Sequence, residues 1–214
     1  MTDIRLVVQL CILLVFCSLG CPGSSSATAV SIFLHQIEAA ATTTHSFTCD
    51  FIQEKHLAMF KKPVMFKGSL AIVRPDKLRW EFTEPLSSAL LLNGVNGMRC
   101  NGEAPPQAFS LDADPVMKIV AEQLWSWLGG NYTHLEKIYT MELVDATTLR
   151  LIPKEKMIAD FIASIAILFD RTTLQPATVE ILEASGDSTK LLFSHYRLNI
   201  EPVEGLFSDC DSRE

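Results

Sequence analysis

Over most of its length this sequence alternates apolar and polar residues with a period of two, a pattern that confines the chain to half-buried strands. Phe47, Cys49 and Phe51 alternate with Ser46, Thr48 and Asp50. Leu78, Trp80 and Phe82 alternate with Lys77, Arg79, Glu81 and Thr83. Successive strand side chains point to opposite faces, so each run offers one face to a core and the other to water. Along 64–74 the same parity holds Val64, Phe66, Gly68, Leu70, Ile72 and Arg74. Arg74 is therefore expected on the apolar face, away from Lys67 and Ser69. Pro75-Asp76 and Asn93–Gly97 read as turns between strands. Further strands are expected near 88–92, 98–101, 134–143, 147–153, 164–170, 176–183 and 189–199. Gln53–His56 reads as a polar stretch leading to a turn near Lys61-Lys62-Pro63, and 102–110 as an irregular proline-containing loop.

Two segments switch to helical spacing. Val30, Phe33, Leu34, Ile37, Ala40 and Ala41 form the stripe of an amphipathic helix that ends at Thr42-Thr43-Thr44. Asp112 or Asp114 suits the cap of a second helix with Pro115 in its first turn. Val116, Ile119, Val120, Leu124, Trp127 and Leu128 make its stripe, and Gly129-Gly130-Asn131 stops it. A short apolar piece, Met157 to Ile162, lies between two later strands. The order implies one sheet with two or three helices at fixed places.

The N-terminus reads as an export signal: Arg5 precedes an apolar run from Leu6 to Leu19, too short to favour a membrane-spanning helix. Residues 1–29 are assigned to signal peptide and linker, with 22–28 as a Ser/Gly/Pro tether, and 30–214 to one domain. Two exits are open. Ala27-Thr28-Ala29 fits a cleavage site that leaves Val30 first, giving a soluble periplasmic protein. Gly20-Cys21 resembles the end of a lipobox, which would lipidate Cys21 and anchor the chain to the envelope. Three cysteines then remain, an odd number that specifies no disulfide framework. A Cys49–Cys100 bridge is one option, but both fit as small apolar strand residues, and Cys210 reads as exposed.

The formal charge of −7, with no basic run, argues against nucleic acid, which needs a positive stripe. It also argues for enclosing lipid rather than lying on it. No histidine stands at metal-ligand spacing, and neither a nucleophile elbow nor a phosphate loop occurs. No enzymatic activity, metal or cofactor is expected. A lipid hydrolase, whose groups meet only in three dimensions, is the reading from another class, and a screen with activated esters would expose it.

The residues also carry a resemblance. Phe47-x-x-x-Phe51-x-Gln53, Gly68-x-Leu70, Arg74-Pro75-x-x-Leu78-x-Trp80-x-x-x-x-Pro85 and Asn93-Gly94 resemble the pattern of the outer-membrane lipoprotein carrier (LolA) family. Leu149-x-Leu151-x-Pro153-Lys154, Ile165-x-Ile167, Asp170 and Thr173-Leu174 keep its order in the second half. The resemblance spans about residues 30–200. It departs from the family after Asn93-Gly94, where Met98-Arg99-Cys100 stands, and in the longer, Trp-rich 102–133 region.

The resemblance implies a mainly β fold, a curved antiparallel half-barrel left unclosed, with helices over the concave face as a lid. It implies a periplasmic carrier, expected to be a monomer, that shelters the acyl chains of a lipoprotein or related lipid. Such a carrier takes its cargo from an inner-membrane donor complex and passes it to an outer-membrane acceptor. An anchored acceptor of the same fold and a lipid-sensing regulatory module are the alternatives. Arg74 takes the position of the family's lid latch, which bonds to lid carbonyls. The acyl cavity is expected among Phe47, Phe51, Phe66, Leu70, Ile72, Trp80 and Phe82 from the sheet. Leu34, Ile37, Ile119 and Trp127 are expected from the lid. Each of these also fits an ordinary core.

Overall fold

The computed structural model describes residues 24–128, Gly130 and residues 132–211. The expected leader and Cys21 lie outside the described residues. Helix α1 spans Ser24–Thr42, followed by strands β1 (Ser46–His56), β2 (Val64–Val73), β3 (Lys77–Glu84), β4 (Ser88–Asn93), β5 (Asn96–Asn101) and β6 (Gln107–Ser110). Helix α2 (Pro115–Leu128) and a 3-10 turn (Thr133–Lys137) lead to β7 (Tyr139–Leu143) and β8 (Thr148–Pro153). The short α3 (Lys156–Ala159) precedes β9 (Ile162–Phe169), β10 (Pro176–Glu183) and β11 (Ser188–Leu198).

The strands form one 11-stranded sheet in the order β6-β5-β4-β3-β2-β1-β11-β10-β9-β8-β7, antiparallel throughout. The outer strands β6 and β7 do not pair, so the sheet stays open. Leu92 of β4, Leu78 of β3, Phe51 of β1, Ile165 of β9, Leu149 of β8 and Tyr139 of β7 nevertheless share one core cluster. A flat sheet of this width would hold those strands tens of ångströms apart at about 4.8 Å per strand. The sheet therefore bends around a common interior. Helix α1 fills part of it through Phe33, Leu34 and Ile37; Met117, Ala121 and Leu128 of α2 are buried as well.

Several boundaries differ from expectation. Helix α1 starts at Ser24, six residues before the expected Val30, because the Ser/Ala/Thr run contains neither glycine nor proline to stop a helix. Part of the expected tether is thus helical. Strand β1 continues through Gln53–His56 because its polar residues find cross-strand partners: Lys55 Nζ bonds Glu183 and, at 3.1 Å, Thr189 Oγ1. The supposed loop 102–110 contains β6, which pairs with β5 beyond Pro105-Pro106 and makes one open edge. The strand expected from 134 starts only at Tyr139; Leu135, Ile138 and Tyr139 pack inward from a 3-10 turn with spacing of three and four.

The cysteines depart furthest. Cys100 is bridged to Cys210 across 110 residues of sequence, while Cys49 is free and buried. The Cys49–Cys100 option fails on facing, and Cys100 is not merely a small apolar strand residue: Cys49 joins the concave core, whereas Cys100 packs with Ala89 and Leu91 on the opposite face. Cys210 is not simply exposed, because the C-terminal segment returns over that convex face. Asn199 starts the return: its Oδ1 accepts from the His45 N–H at 2.8 Å and its Nδ2 donates to the Thr43 carbonyl at 3.1 Å. Leu206 and Phe207 then cover Ala71 and Val73.

Gly68 sits where β2 and β3 change register and where no side chain fits. A Cβ there would sit 1.9 Å from the Glu81 carbonyl oxygen and 2.5 Å from the Phe51 ring. Backbone cannot yield as a side-chain tip can, so Gly68→Ala is expected to cost about 1–3 kcal/mol in urea unfolding. An unchanged midpoint would show that the sheet relaxes there freely.

Candidate functional site

The concave face carries an aromatic floor built by register. Phe51 lies opposite Gly68 and Phe193, Gly68 opposite Phe82, and Leu70 opposite Trp80. The missing side chain at Gly68 makes room for the Phe51 ring, which meets Trp80 at 4.9 Å, Phe82 at 5.3 Å and Phe193 at 6.4 Å between centroids. Phe66 stacks edge-on to Phe82 at 5.7 Å. Such edge and tilted contacts suit the ring quadrupole. Phe47, Phe51, Leu70 and Ile72 are buried; Phe66, Trp80 and Phe82 stay partly exposed. The floor is sealed at its centre and open toward the end where β2 begins and β3 ends.

Leu34 and Ile37 of α1 are buried in the same cluster. The side chains of Ile119 and Trp127, the other expected lid residues, lie outside the described residues. Leu124 and Trp125 of α2 pack at the edge of the cluster. Around Phe169, Phe33 of α1 and Tyr132 stand at 5.5 Å each, joining α1 and the segment after α2 to strand β9. Glu38 of α1 accepts the Thr133 N–H at 2.6 Å.

Arg74 follows β2 and turns inward, as the parity of its strand predicts. Its Nη1 donates to the Thr44 carbonyl just after α1, and its Nη2 to the Leu128 carbonyl at the end of α2, at 3.3 Å. One guanidinium thus bonds the C-terminal ends of both long helices, where free carbonyls and the helix dipoles favour a cation. It lies 5.8 Å from the centroid of Phe47. Burial lowers its pKa, with Tyr132 opposing the shift, but a guanidinium remains charged near neutrality. Gly130 (φ +85°) passes so close that a Cβ would lie 3.3 Å from Arg74 Nη2.

A second arginine organises the other face. Arg79 and Glu81, expected to point into water, are 3% and 5% exposed and pair at 2.8 Å. Arg79 also donates to the carbonyls of Leu206 (3.2 Å), Asp209 (2.8 Å) and Cys210 (3.0 Å). Strand alternation set their face correctly; nothing local signalled that the C-terminal segment would cover them. Beside them a cavity of about 520 Å³ opens between strands and tail, lined by polar residues such as Thr48, Ser69, Glu81 and Arg197 together with apolar Leu70, Ala71 and Leu206. Of the expected acyl-cavity residues only Leu70 lines it. At its rim His195 Nδ1 and Asp50 Oδ2 lie 2.8 Å apart, both largely exposed. Among the described residues no three His, Cys, Asp or Glu side chains converge as metal ligands, and no described helix is long and apolar enough to cross a membrane.

The family model for the outer membrane lipoprotein carrier protein LolA matches residues 42–210. The complex of MucA and MucB from Pseudomonas aeruginosa contains a similar chain, 14% identical, with a TM-score of 0.50, covering 84% of this chain and 60% of that one. A LolA superfamily protein from Nitrosomonas europaea is 13% identical, with a TM-score of 0.44 over 84% and 97% of the two chains. The lipoprotein LppX of Mycobacterium tuberculosis is 14% identical, with a TM-score of 0.44 over 81% and 98%. No curated protein matches the sequence.

Burial of three weak acids on the concave side is expected to make the fold sensitive to alkali. Burial pushes the Cys49 thiol from 9.0 up to about 12, and raises the Tyr132 and Tyr196 phenols in the same direction. The folded state holds these protons more tightly than the unfolded chain. Their contribution is complete below the unfolded thiol value and is lost as pH rises toward the folded one. Unfolding free energy is therefore expected to be level just below pH 9.0 and to fall above it, with Cys49→Ala shallowing the fall. A flat alkaline limb would contradict this.

Proposed function

Because the chain belongs to the outer membrane lipoprotein carrier protein LolA family, we propose that it is a periplasmic carrier. It takes the acyl chains of a lipoprotein, or of a related lipid, onto its aromatic floor and delivers them to the outer membrane. The observation that carries this reading is the unclosed sheet with a continuous apolar inner face, whose Phe66, Trp80 and Phe82 remain partly uncovered. The match supports a lipid- or lipoprotein-binding role; delivery, donor and acceptor are our extension of it.

Energetics explain why such a carrier needs a clasp. Burial of one methylene is worth roughly 0.8 kcal/mol, so two acyl chains fully enclosed would exceed any real non-covalent affinity. A carrier must also release. Separating α1 and α2 from the floor costs contacts, among them the Arg74 bonds to both helix ends, and that cost lowers net affinity into a reversible range. Arg74 is in this reading the latch whose release accompanies loading and whose re-formation helps expel cargo. The chemistry is binding and transfer, with no catalytic step.

A second reading rests on Gly20-Cys21: lipidation of Cys21 would make the protein an anchored acceptor. Mass spectrometry of the mature N-terminus separates the two, Val30 first marking the shuttle and acylated Cys21 the anchor.

Arg74→Leu is expected to keep uptake of a fluorescent fatty acid, read by energy transfer from Trp80 and its neighbours, while blocking hand-over of bound cargo to outer-membrane vesicles. Normal hand-over by that variant would remove Arg74 from the mechanism.

A further inference from the structure

The large hydrophobic residues are distributed unevenly over the surface. Among the described residues, four are more than 70% exposed: Met59 (81%), Met157 (74%), Phe161 (73%) and Leu86 (72%). All four lie at one end of the sheet. Antiparallel pairing puts the β1–β2, β3–β4, β8–β9 and β10–β11 connections on the same rim, and these residues occupy the first three. Two bonds tie the rim together through the β10–β11 turn: the Ala58 N–H donates to Asp187 at 2.8 Å, and the Ala184 N–H to the Phe161 carbonyl at 3.0 Å. At about 4.8 Å per strand, the β1–β2 tip and the Phe161 segment stand roughly 20 Å apart. The helix ends held by Arg74 lie at the opposite end of the sheet.

Charge follows the same arrangement. The tip Leu57–Pro63 carries Met59 and Phe60 (54% exposed) next to Lys61 and Lys62, with no acid among its seven residues. Several acids of this end are engaged within the protein: Glu84 with Lys67 at 2.8 Å, Asp160 with Lys156 at 3.1 Å, Glu183 with Lys55, and Asp187 with Ala58. Glu103 and Glu155 lie nearby without such pairing among the described residues. No ion pair among the described residues holds Lys61 or Lys62. The net charge of −7 thus conceals a locally basic, apolar tip.

We propose that this rim docks the protein on a bilayer containing anionic lipid. Met59 and Phe60 from one side and Met157 and Phe161 from the other enter the interface, and Lys61 and Lys62 meet the phosphates. Water-soluble chains rarely leave several large apolar tips on one edge unless something covers them. Paired apolar and cationic groups fit the headgroup–acyl boundary, where a few such anchors give reversible binding. The partly open end of the aromatic floor, at Phe66 and Phe82, lies beside this rim, so docking would bring it to the lipid. The proposal builds on the lipid-carrier reading for its purpose but is tested without cargo.

The test uses the exported protein bearing Cys21→Ser with its leader removed, so that neither a lipid anchor nor the apolar run Leu6–Leu19 contributes, and vesicles of phosphatidylethanolamine with phosphatidylglycerol. The protein is expected to float with the vesicles, less so at high salt, and amide exchange over 57–63 and 156–161 is expected to slow. Phe60→Asp with Phe161→Asp is expected to lower partitioning by about tenfold or more, while Val95→Asp with Val144→Asp, at the other end, leaves it unchanged. Circular dichroism and retained fatty-acid uptake show that the rim variant is folded. No flotation, equal flotation of both variants, or a rim that instead joins two copies in solution would overturn the proposal. Absent vesicle binding by the protein with its rim unaltered, uptake being intact, refutes docking alone; absent uptake in that same protein refutes the carrier reading alone.

Discussion

An antiparallel sheet that curls without closing has an apolar inner face it cannot hide by itself. Here eleven strands bend around one interior, and the unpaired β6 and β7 leave the curl open. A closed barrel would need no cover, and a flat sheet would offer no hollow. Everything else in the molecule responds to this half-way geometry. Helices α1 and α2 supply the cover, burying Phe33, Leu34 and Ile37 from the first and Met117, Ala121 and Leu128 from the second.

Two buried or half-buried arginines hold the two faces in order. Arg74 collects carbonyls from both helix ends on the concave side, and Arg79, fixed by Glu81, collects carbonyls from the C-terminal segment on the convex side. The second arrangement is reinforced by the Cys100–Cys210 bridge, which removes roughly 4–5 kcal/mol of chain entropy from the unfolded state for a loop this long. The difference matters for function. The convex clasp is covalent and backed by a buried ion pair, so that face is fixed. The concave clasp has no covalent link: it rests on one side chain whose hydrogen bonds include those to Thr44 and Leu128, and such bonds break and re-form at modest cost.

Periodicity made the strands and the facing of Arg74 legible in the sequence, because a strand's alternation is a local property. The floor residues Phe51, Trp80 and Phe82 were readable as inward for the same reason, and the order of motifs pointed to the family and hence to an open, helix-covered sheet. What stayed hidden depended on the return of distant chain. Arg79 and Glu81 look like any solvent-facing pair until residues 199–211 fold over them. Cys210 looks like an exposed tail residue until its segment reaches β5. The β6 edge was obscured by Pro105-Pro106, and the turn before β7 by a spacing of three and four inside an otherwise strand-like region. The apolar rim went unread because Met59, Leu86 and Phe161 are far apart in sequence and meet only through strand order.

On the proposed function the inner face takes up hydrocarbon where Phe66, Trp80 and Phe82 remain partly uncovered. That uptake is tested most directly by purifying the protein from its native envelope in gentle detergent-free conditions and weighing it intact. A carrier shows added masses that dissociate as acylated species, and loses them when Trp80 and Phe82 are replaced by charged residues in a still-folded protein. A bare polypeptide mass, together with an interior that admits no acyl probe at any concentration, would contradict it.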